Sequence, residues 1–378
     1  MTTRPRKALR AGGLAAVLLA AGTLAGCVFD AAAPPPAVTP TGAFDADYSE
    51  PVPRVPAPLR GTLVEPGSLQ NPSLAAKIDN HEDARPQIGL ERADLVFEEL
   101  VEGGLTRYVA VWQSDVPELI GPVRSIRPMD PDIISPLGGI VAYSGGQEQF
   151  VDLMLRAPVY NAVHGEADTE ETFYRIDGYD SPHDVVVKAS ELVSEHADLA
   201  PPAQQFAYSA DVLSSTAAVD GEPTATLSLV FSDSRFPSWQ WDEASVSFLR
   251  SQEGAPDLGS TGAQLSATNV VSLLVDEVYD YDEEVPRAVL VASGEGWAST
   301  GGKTVHLRWS KDDAASPIRL VDDAGATIRL APGSTWIELV PRETRSVTVT
   351  APVPAPVPGG DPAPEEPGDA GDLGDPVG

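Results

Sequence analysis

The stretch ADLVFEELVEGGLTRYVAVW, residues 93–112, decides the fold class of the first half of the chain. Residues 93–101 and 106–112 are two runs of apolar, β-branched and aromatic character. Gly103-Gly104 lies between them, so the pattern predicts two strands closed into a hairpin. Successive strand side chains leave opposite faces, which separates Glu98 from Glu99 and excludes them as a catalytic carboxylate pair. Downstream, residues 133–144 lead into Gly145-Gly146. Phe150, Leu153 and Met154 then repeat at helical spacing over residues 147–156, and residues 185–197 read as a further helix with Leu192 and Val193 inward. Residues 59–203 therefore read as an α/β domain, a mixed sheet with helices.

Pro201-Pro202 marks a boundary, and residues 204–345 change character. Short β segments are expected at 225–231, 239–249, 270–275, 288–292, 304–309, 318–320, 327–330 and 335–340, with Asp-Gly, Gly-Gly, Ala-Gly and Pro-Gly pairs as punctuation. This half reads as a β-rich domain. Trp239 and Trp241 alternate along one strand, with Trp309 and Trp336 elsewhere. Half-buried core is the ordinary use of such residues, and an exposed glycan-binding plane is the alternative.

The ends are of another kind. Arg4, Arg6, Lys7 and Arg10 precede an apolar run over residues 11–24, and Leu24-Ala25-Gly26-Cys27 follows. A basic end, a short apolar core and small residues describe a secretory signal peptide over residues 1–26. The run is shorter than the ~20 residues of a spanning helix. Small residues followed at once by the chain's single cysteine resemble the lipobox of bacterial lipoproteins, which implies cleavage before Cys27 and acylation of its thiol. The protein is then expected at the cell membrane, lipid-anchored on its extracytoplasmic face. Residues 27–58 read as a Pro-rich tether, and residues 346–378 as a disordered acidic Pro/Gly tail.

The formal charge of −31 excludes nucleic acid as a partner of the whole surface and argues equally against polyanionic wall polymers. With Cys27 acylated, no thiol remains for catalysis or for a disulfide. Residues 296–304 imitate a phosphate-binding loop but carry one residue too many before Lys303, so a hairpin turn is expected there. Ala142-Tyr143-Ser144-Gly145-Gly146 lacks the first glycine of a nucleophile elbow and reads as a tight strand-to-helix turn. No cofactor is expected.

A belt of polar residues runs from Lys77 to Asp130. Within it KIDNHEDARPQIGL, ADLVFEELVEGGLTRYVAVWQSD and GPVRSIRPMD, and beyond it SPLGGIVAYSGG, Asp180-Ser181-Pro182-His183-Asp184 and the second-half strings GAQLSATNVV and PGSTWIELVP, resemble the YerB-like bacterial lipoproteins. That family is built on a domain of unknown function. The resemblance covers both halves, implies a two-part lipoprotein, and brings no biochemical activity with it.

The residues themselves offer Lys77, Asp79, Asn80, Arg107, Arg124, Arg127, Asp130 and His183 as a candidate ligand-binding set. The forked donors of Arg107, Arg124 and Arg127 suit phosphate or carboxylate; pairing with Glu98, Glu99, Glu102 and Asp130 is the structural alternative. Asp130-Pro131-Asp132 offers either two oxygens to a hard cation or an ordinary turn. His81 and His183 sit beside carboxylates but about 100 residues apart, without metalloprotease-like spacing, so zinc is not expected. A fold-level likeness to LytR-type glycopolymer transferases is limited by Arg127-Pro128-Met129-Asp130, which departs from their Arg-Asp pairing. The leading expectation is a binding or scaffold lipoprotein of the bacterial cell envelope, tied to wall assembly or remodelling, with a wall component or envelope protein as partner. The alternative is a phosphotransferase-like enzyme acting on a lipid-linked pyrophosphate through the arginines, and whether the chain is an enzyme stays open.

Overall fold

The hairpin expected at residues 93–112 forms the middle of a large mixed sheet. The computed structural model describes residues 52–343 and 346–353. The expected signal peptide, Cys27, most of the tether and most of the tail lie outside the described residues. The sheet contains β1 (Leu74–Asp79), β2 (Leu95–Leu100), β3 (Thr106–Trp112), β4 (Ile140–Tyr143), β5 (Tyr160–Val163), β6 (Glu222–Pro223), β7 (Asn269–Val275), β8 (Ser293–Thr300), β9 (Lys303–Ser310), β10 (Arg319–Val321) and β11 (Thr335–Pro341). Their order is β6-β9-β8-β7-β11-β2-β3-β1-β4-β5, with β10 also paired to β9.

The two halves of the chain meet inside this sheet. β11, from the second half, runs parallel to β2 of the first, with Ile337 beside Phe97 and Glu338 beside Glu98. β2 and β3 are antiparallel around Gly103-Gly104, with Leu100 opposite Thr106. Every residue of β1, β2 and β3 is buried, so these strands are covered on both faces. On one face Leu74, Ala76, Ile78, Val96 and Tyr108 join Trp239, Phe248 and Trp336. On the other Ala75, Phe97, Val109 and Val111 join Ile126, Met129, Phe150 and Met154. Each large side chain so buried contributes about 1.5–3 kcal/mol relative to exposure.

A second sheet covers the first face, in the order Ala255–Pro256, Ser247–Gln252, Ser238–Asp242, Thr226–Leu229, Val347–Thr350. It is joined to the large sheet through one buried cation. Arg250 donates to Glu98 at 2.6 Å, Asp257 at 3.0 Å and Glu338 at 3.1 Å. Its guanidinium lies 4.7 Å from the ring centre of Trp336 and 5.2 Å from that of Trp239. The tryptophans are therefore core: Trp239 is fully buried and donates its Nε1–H to Glu338 at 2.7 Å, which removes the glycan-plane reading for it and for Trp336.

Three expectations are corrected. Strands carry the first half more than its α/β label implies, and its longest helix is Glu148–Leu155. Residues 185–197 are not one helix: Val185–Lys188 is a strand between Phe173–Arg175 and Leu119–Ile120, and the helix is Ala189–Glu195. Three consecutive valines favour the pleated surface over a helix. Within the expected tail, Val347–Thr350 forms an edge strand on Thr226–Leu229. Two sequence decoys take their expected forms: β8 and β9 are joined at Gly301-Gly302, both in left-handed backbone, and Ser144-Gly145-Gly146 turns β4 toward the helix Glu148–Leu155.

Candidate functional site

Strand alternation assembles the site. Lys77 and Asp79 are two apart on β1 and share a face. Arg107 of β3 stands beside Asp79, and Glu99 of β2 beside Arg107, so all four project to one side. The segment that follows residue 120 then returns over the end of β1. Asp79 donates its backbone N–H to Pro122 at 2.9 Å, and Arg124 donates its own to Lys77 at 2.8 Å. This places Arg124 Nε 3.3 Å from an Asp79 carboxylate oxygen. One step on, the Ser125 carbonyl accepts from Nη1 of both Arg107 and Arg127.

Beneath the arginines lies a closed ionic layer. Lys77 is fully buried, donates to Asp130 at 2.7 Å, and is paired with Glu99. Burial pushes its ammonium down to about 8 against the pull of Asp130, and Arg107 and Arg127 add to the fall. Asp130 also accepts the Arg127 backbone N–H. It opens the short helix Asp130–Ile134 and is fully buried, so Asp130-Pro131-Asp132 is neither an open turn nor a pair of free ligands.

The three arginines are not equally compensated. Arg127 holds Glu102 at 2.8 Å through Nε and 2.7 Å through Nη2. Arg124 has Asp79. Arg107 is 9% exposed, and among the described residues no carboxylate lies at ion-pair distance from it. Burial and then repulsion from Arg127 hold its guanidinium down at about 10, with Asp79 opposing.

His183 reaches the same corner from the turn after Ser181-Pro182, its Nδ1 2.6 Å from Asp79 Oδ2. Its ring stacks on His81, with centroids 4.4 Å apart and planes at 17°. Spacing along the chain argued against these histidines acting together, yet the fold makes them neighbours, because the 181–184 turn packs against the end of β1. Donor atoms of His81, Asp83 and His183 all lie within 4.8 Å of one another. Ser144 Oγ, at the strand-to-helix turn, is 3.0 Å from His164 Nδ1. Among the described residues no carboxylate hydrogen-bonds that ring, so no triad is completed.

Of the candidate set, Lys77, Asp79, Arg107, Arg124, Arg127, Asp130 and His183 come together. Asn80 does not. It leaves β1 on the other face and contacts Thr106 at 2.8 Å and Gln252 at 2.9 Å, tying the halves together. Glu99, expected only as a structural partner of the arginines, and Asp83, expected only as a carboxylate beside His81, also belong to the cluster. Period-2 alternation with Lys77 was the available signal for Glu99; for Asp83 the signal was its place two residues after His81.

Residues 59–201 match the family model for the N-terminal domain of a protein of unknown function, DUF3048, and residues 227–337 match the model for its C-terminal domain. The chain belongs to the DUF3048 family. YerB of Bacillus subtilis (strain 168), a lipoprotein by name, is 26% identical over 308 residues, covering 76% of this chain and 87% of that protein. The crystal structure of the Bacillus subtilis YerB protein has the same fold at a TM-score of 0.68, with 22% identity, covering 78% of this chain and 99% of that one. The expected YerB-like, two-part architecture holds. Every residue of the arginine site falls within the DUF3048 N-terminal domain, while Arg250 belongs to the C-terminal domain and seals the two together.

Proposed function

We propose that this DUF3048 protein is a lipid-anchored binding protein of the cell envelope, held through Cys27 on the extracytoplasmic face, that takes a phosphate- or carboxylate-bearing ligand at Arg107, Arg124 and Arg127. The observation that carries this reading is Arg107. A buried guanidinium without a counter-charge is costly unless something pairs with it. In a chain of net charge −31, carboxylates are abundant, yet this cation lies beside two others and, among the described residues, has no carboxylate at ion-pair distance. An arriving anion supplies the missing charge and accepts from fork-shaped donors already held in place. Supports for the anchor are the basic end, apolar core and small residues before Cys27, together with a relative that is a lipoprotein by name. Wall assembly or remodelling is the context in which envelope anions of this kind occur.

A second reading, phosphoryl-transfer chemistry on a lipid-linked pyrophosphate, is favoured by one observation: Asp79 stands beside Arg124 in the arginine cluster. Acidic residues beside a phosphate-binding cluster are the arrangement that such chemistry uses.

The test is ligand-induced stabilisation of the full chain in mild detergent, with pyrophosphate, a polyprenyl pyrophosphate analogue and a muropeptide as separate arms. A ligand that binds only the folded state raises the melting temperature. The expected result is a rise with at least one anion that Arg107→Met removes. No rise with any of them, or an equal rise in the variant, overturns the reading. Release of inorganic phosphate from the lipid pyrophosphate would move the assignment to the enzyme.

A further inference from the structure

The His81–His183 stack lies at the margin of the arginine site and is not explained by anion binding, since His183 is committed to Asp79. We infer that His81, Asp83 and His183 form a site for one divalent transition-metal ion of the zinc class.

Three features build it. First, the short turn of helix Glu82–Ala84 fixes two donors at once, because His81 caps it and Asp83 follows two residues later. His81 Nδ1 and an Asp83 carboxylate oxygen are 3.5 Å apart. Bonds of about 2.1 Å in a tetrahedron set donors about 3.4 Å apart, so the spacing of this edge already fits although the ring direction does not. Second, His183 arrives from the 181–184 turn with its Nδ1 held 2.6 Å from Asp79. A carboxylate on Nδ1 fixes the tautomer and leaves the lone pair on Nε2, the usual support behind a metal-binding histidine. Third, the donors have room to close. Their side chains are 33% exposed for His81, 60% for Asp83 and 13% for His183. The nearly parallel rings must turn so that their lone pairs converge, and His81 gives up the Asp83 backbone N–H that its Nδ1 now accepts.

Two imidazoles and one carboxylate select against magnesium and calcium, which prefer all-oxygen ligands, and for zinc or its transition-metal neighbours. Three protein ligands leave a fourth position for water or another group. The inference does not depend on the arginine reading, because none of the three ligands is Arg107, Arg124 or Arg127, although His183 and its partner Asp79 border that cluster.

The experiment is metal content and competition titration on the full chain in mild detergent, stripped with chelator and then dialysed against zinc or magnesium. Cobalt substitution serves as a spectroscopic check. The expected results are one equivalent of zinc, none of magnesium, and the intense visible bands of tetrahedral cobalt. His81→Ala and His183→Ala should each weaken zinc binding at least tenfold. Asp79→Asn, acting behind His183, should weaken it about 10- to 100-fold. Melting curves of the metal-free variants check folding, and His81→Ala, at a more exposed position, serves if His183→Ala fails to fold. Zinc retained equally by His81→Ala, or no zinc retained by the parent chain at micromolar free metal, overturns the site.

Discussion

Arg107 and Arg127 each direct an Nη1–H at the same acceptor, the Ser125 carbonyl oxygen, at 3.1 Å and 3.4 Å. Two guanidinium groups on one neutral acceptor repel each other, and Glu102 forms its ion pair with Arg127 while acting on Arg107 only at longer range. The pair is therefore asymmetric in ion pairing while sharing one acceptor.

That asymmetry gives opposite stability effects. Arg107→Met removes a buried cation that has no direct ion pair among the described residues and leaves Ser125 still bonded to Arg127, so the unfolding free energy should change by less than about 1 kcal/mol or rise. Arg127→Met strips Glu102 of its partner and should cost about 1–3 kcal/mol. Urea unfolding at unchanged m-value measures both. A loss at Arg107 as large as that at Arg127 would show that Arg107 is structurally compensated.

Arg250 is the opposite kind of buried arginine. Glu98, Asp257 and Glu338 surround it, and Glu338 has its carboxyl held well above the usual range by burial and then by the Glu98 charge beside it. Arg250→Met leaves these groups without their cation at the seam between the halves, and should cost about 3–5 kcal/mol. The exposed pair Arg92–Asp115 is the control, and breaking it with Asp115→Ala should cost no more than about 1 kcal/mol. If the two variants unfold alike in urea, the seam is not held by Arg250.

Glu277 gives the clearest pH dependence. Its two carboxylate oxygens are buried without hydrogen-bond partners among the described residues, and burial raises its pKa from 4.5 to about 8, Arg287 opposing and Glu343 adding to the rise. The folded state then holds a proton that the unfolded state releases between these values. The contribution is fully present below about 4.5 and is lost as pH rises through about 8. Glu277→Gln should remove that loss, so the variant gains on the parent by about 2–4 kcal/mol between pH 5 and pH 9. Chemical unfolding at several pH values tests it, and parallel curves for the two proteins would refute it.

The hairpin was legible because β2 and β3 obey local rules: apolar runs, a Gly-Gly break and strict alternation. Alternation also placed Lys77, Asp79, Glu99 and Arg107 on one side once the strand neighbours were known. Those neighbours were not legible. Nothing local reveals that β11 from the second half would lie beside β2, or that the 181–184 turn would carry His183 to His81. Contacts across such separations depend on which surfaces complete each other's burial, and spacing rules written for one helix or loop do not apply to them. Asn80 shows the converse error: one position beyond Asp79, it follows the same alternation to the opposite face.

Val347–Thr350 does carry a local signal, since Val-Thr-Val-Thr alternates β-branched residues at period 2, but the Pro-rich acidic sequence that follows directly obscures it. It pairs Val347 with Leu229 and Val349 with Leu227, and its flanks add bonds from Val230 N–H to Ser346 at 3.0 Å and from Ala225 N–H to Thr350 at 2.8 Å. Removing it would expose the unpaired backbone edge of Thr226–Leu229, next to Leu227 and Leu229 in the core. A chain ending at residue 353 should therefore unfold with the full chain, whereas one ending at residue 345 should lose about 1–3 kcal/mol and gain a tendency to associate. Urea unfolding and light scattering on the two truncations separate the cases. Equal stability of both would mean that the edge strand contributes nothing and that the fold is complete without it.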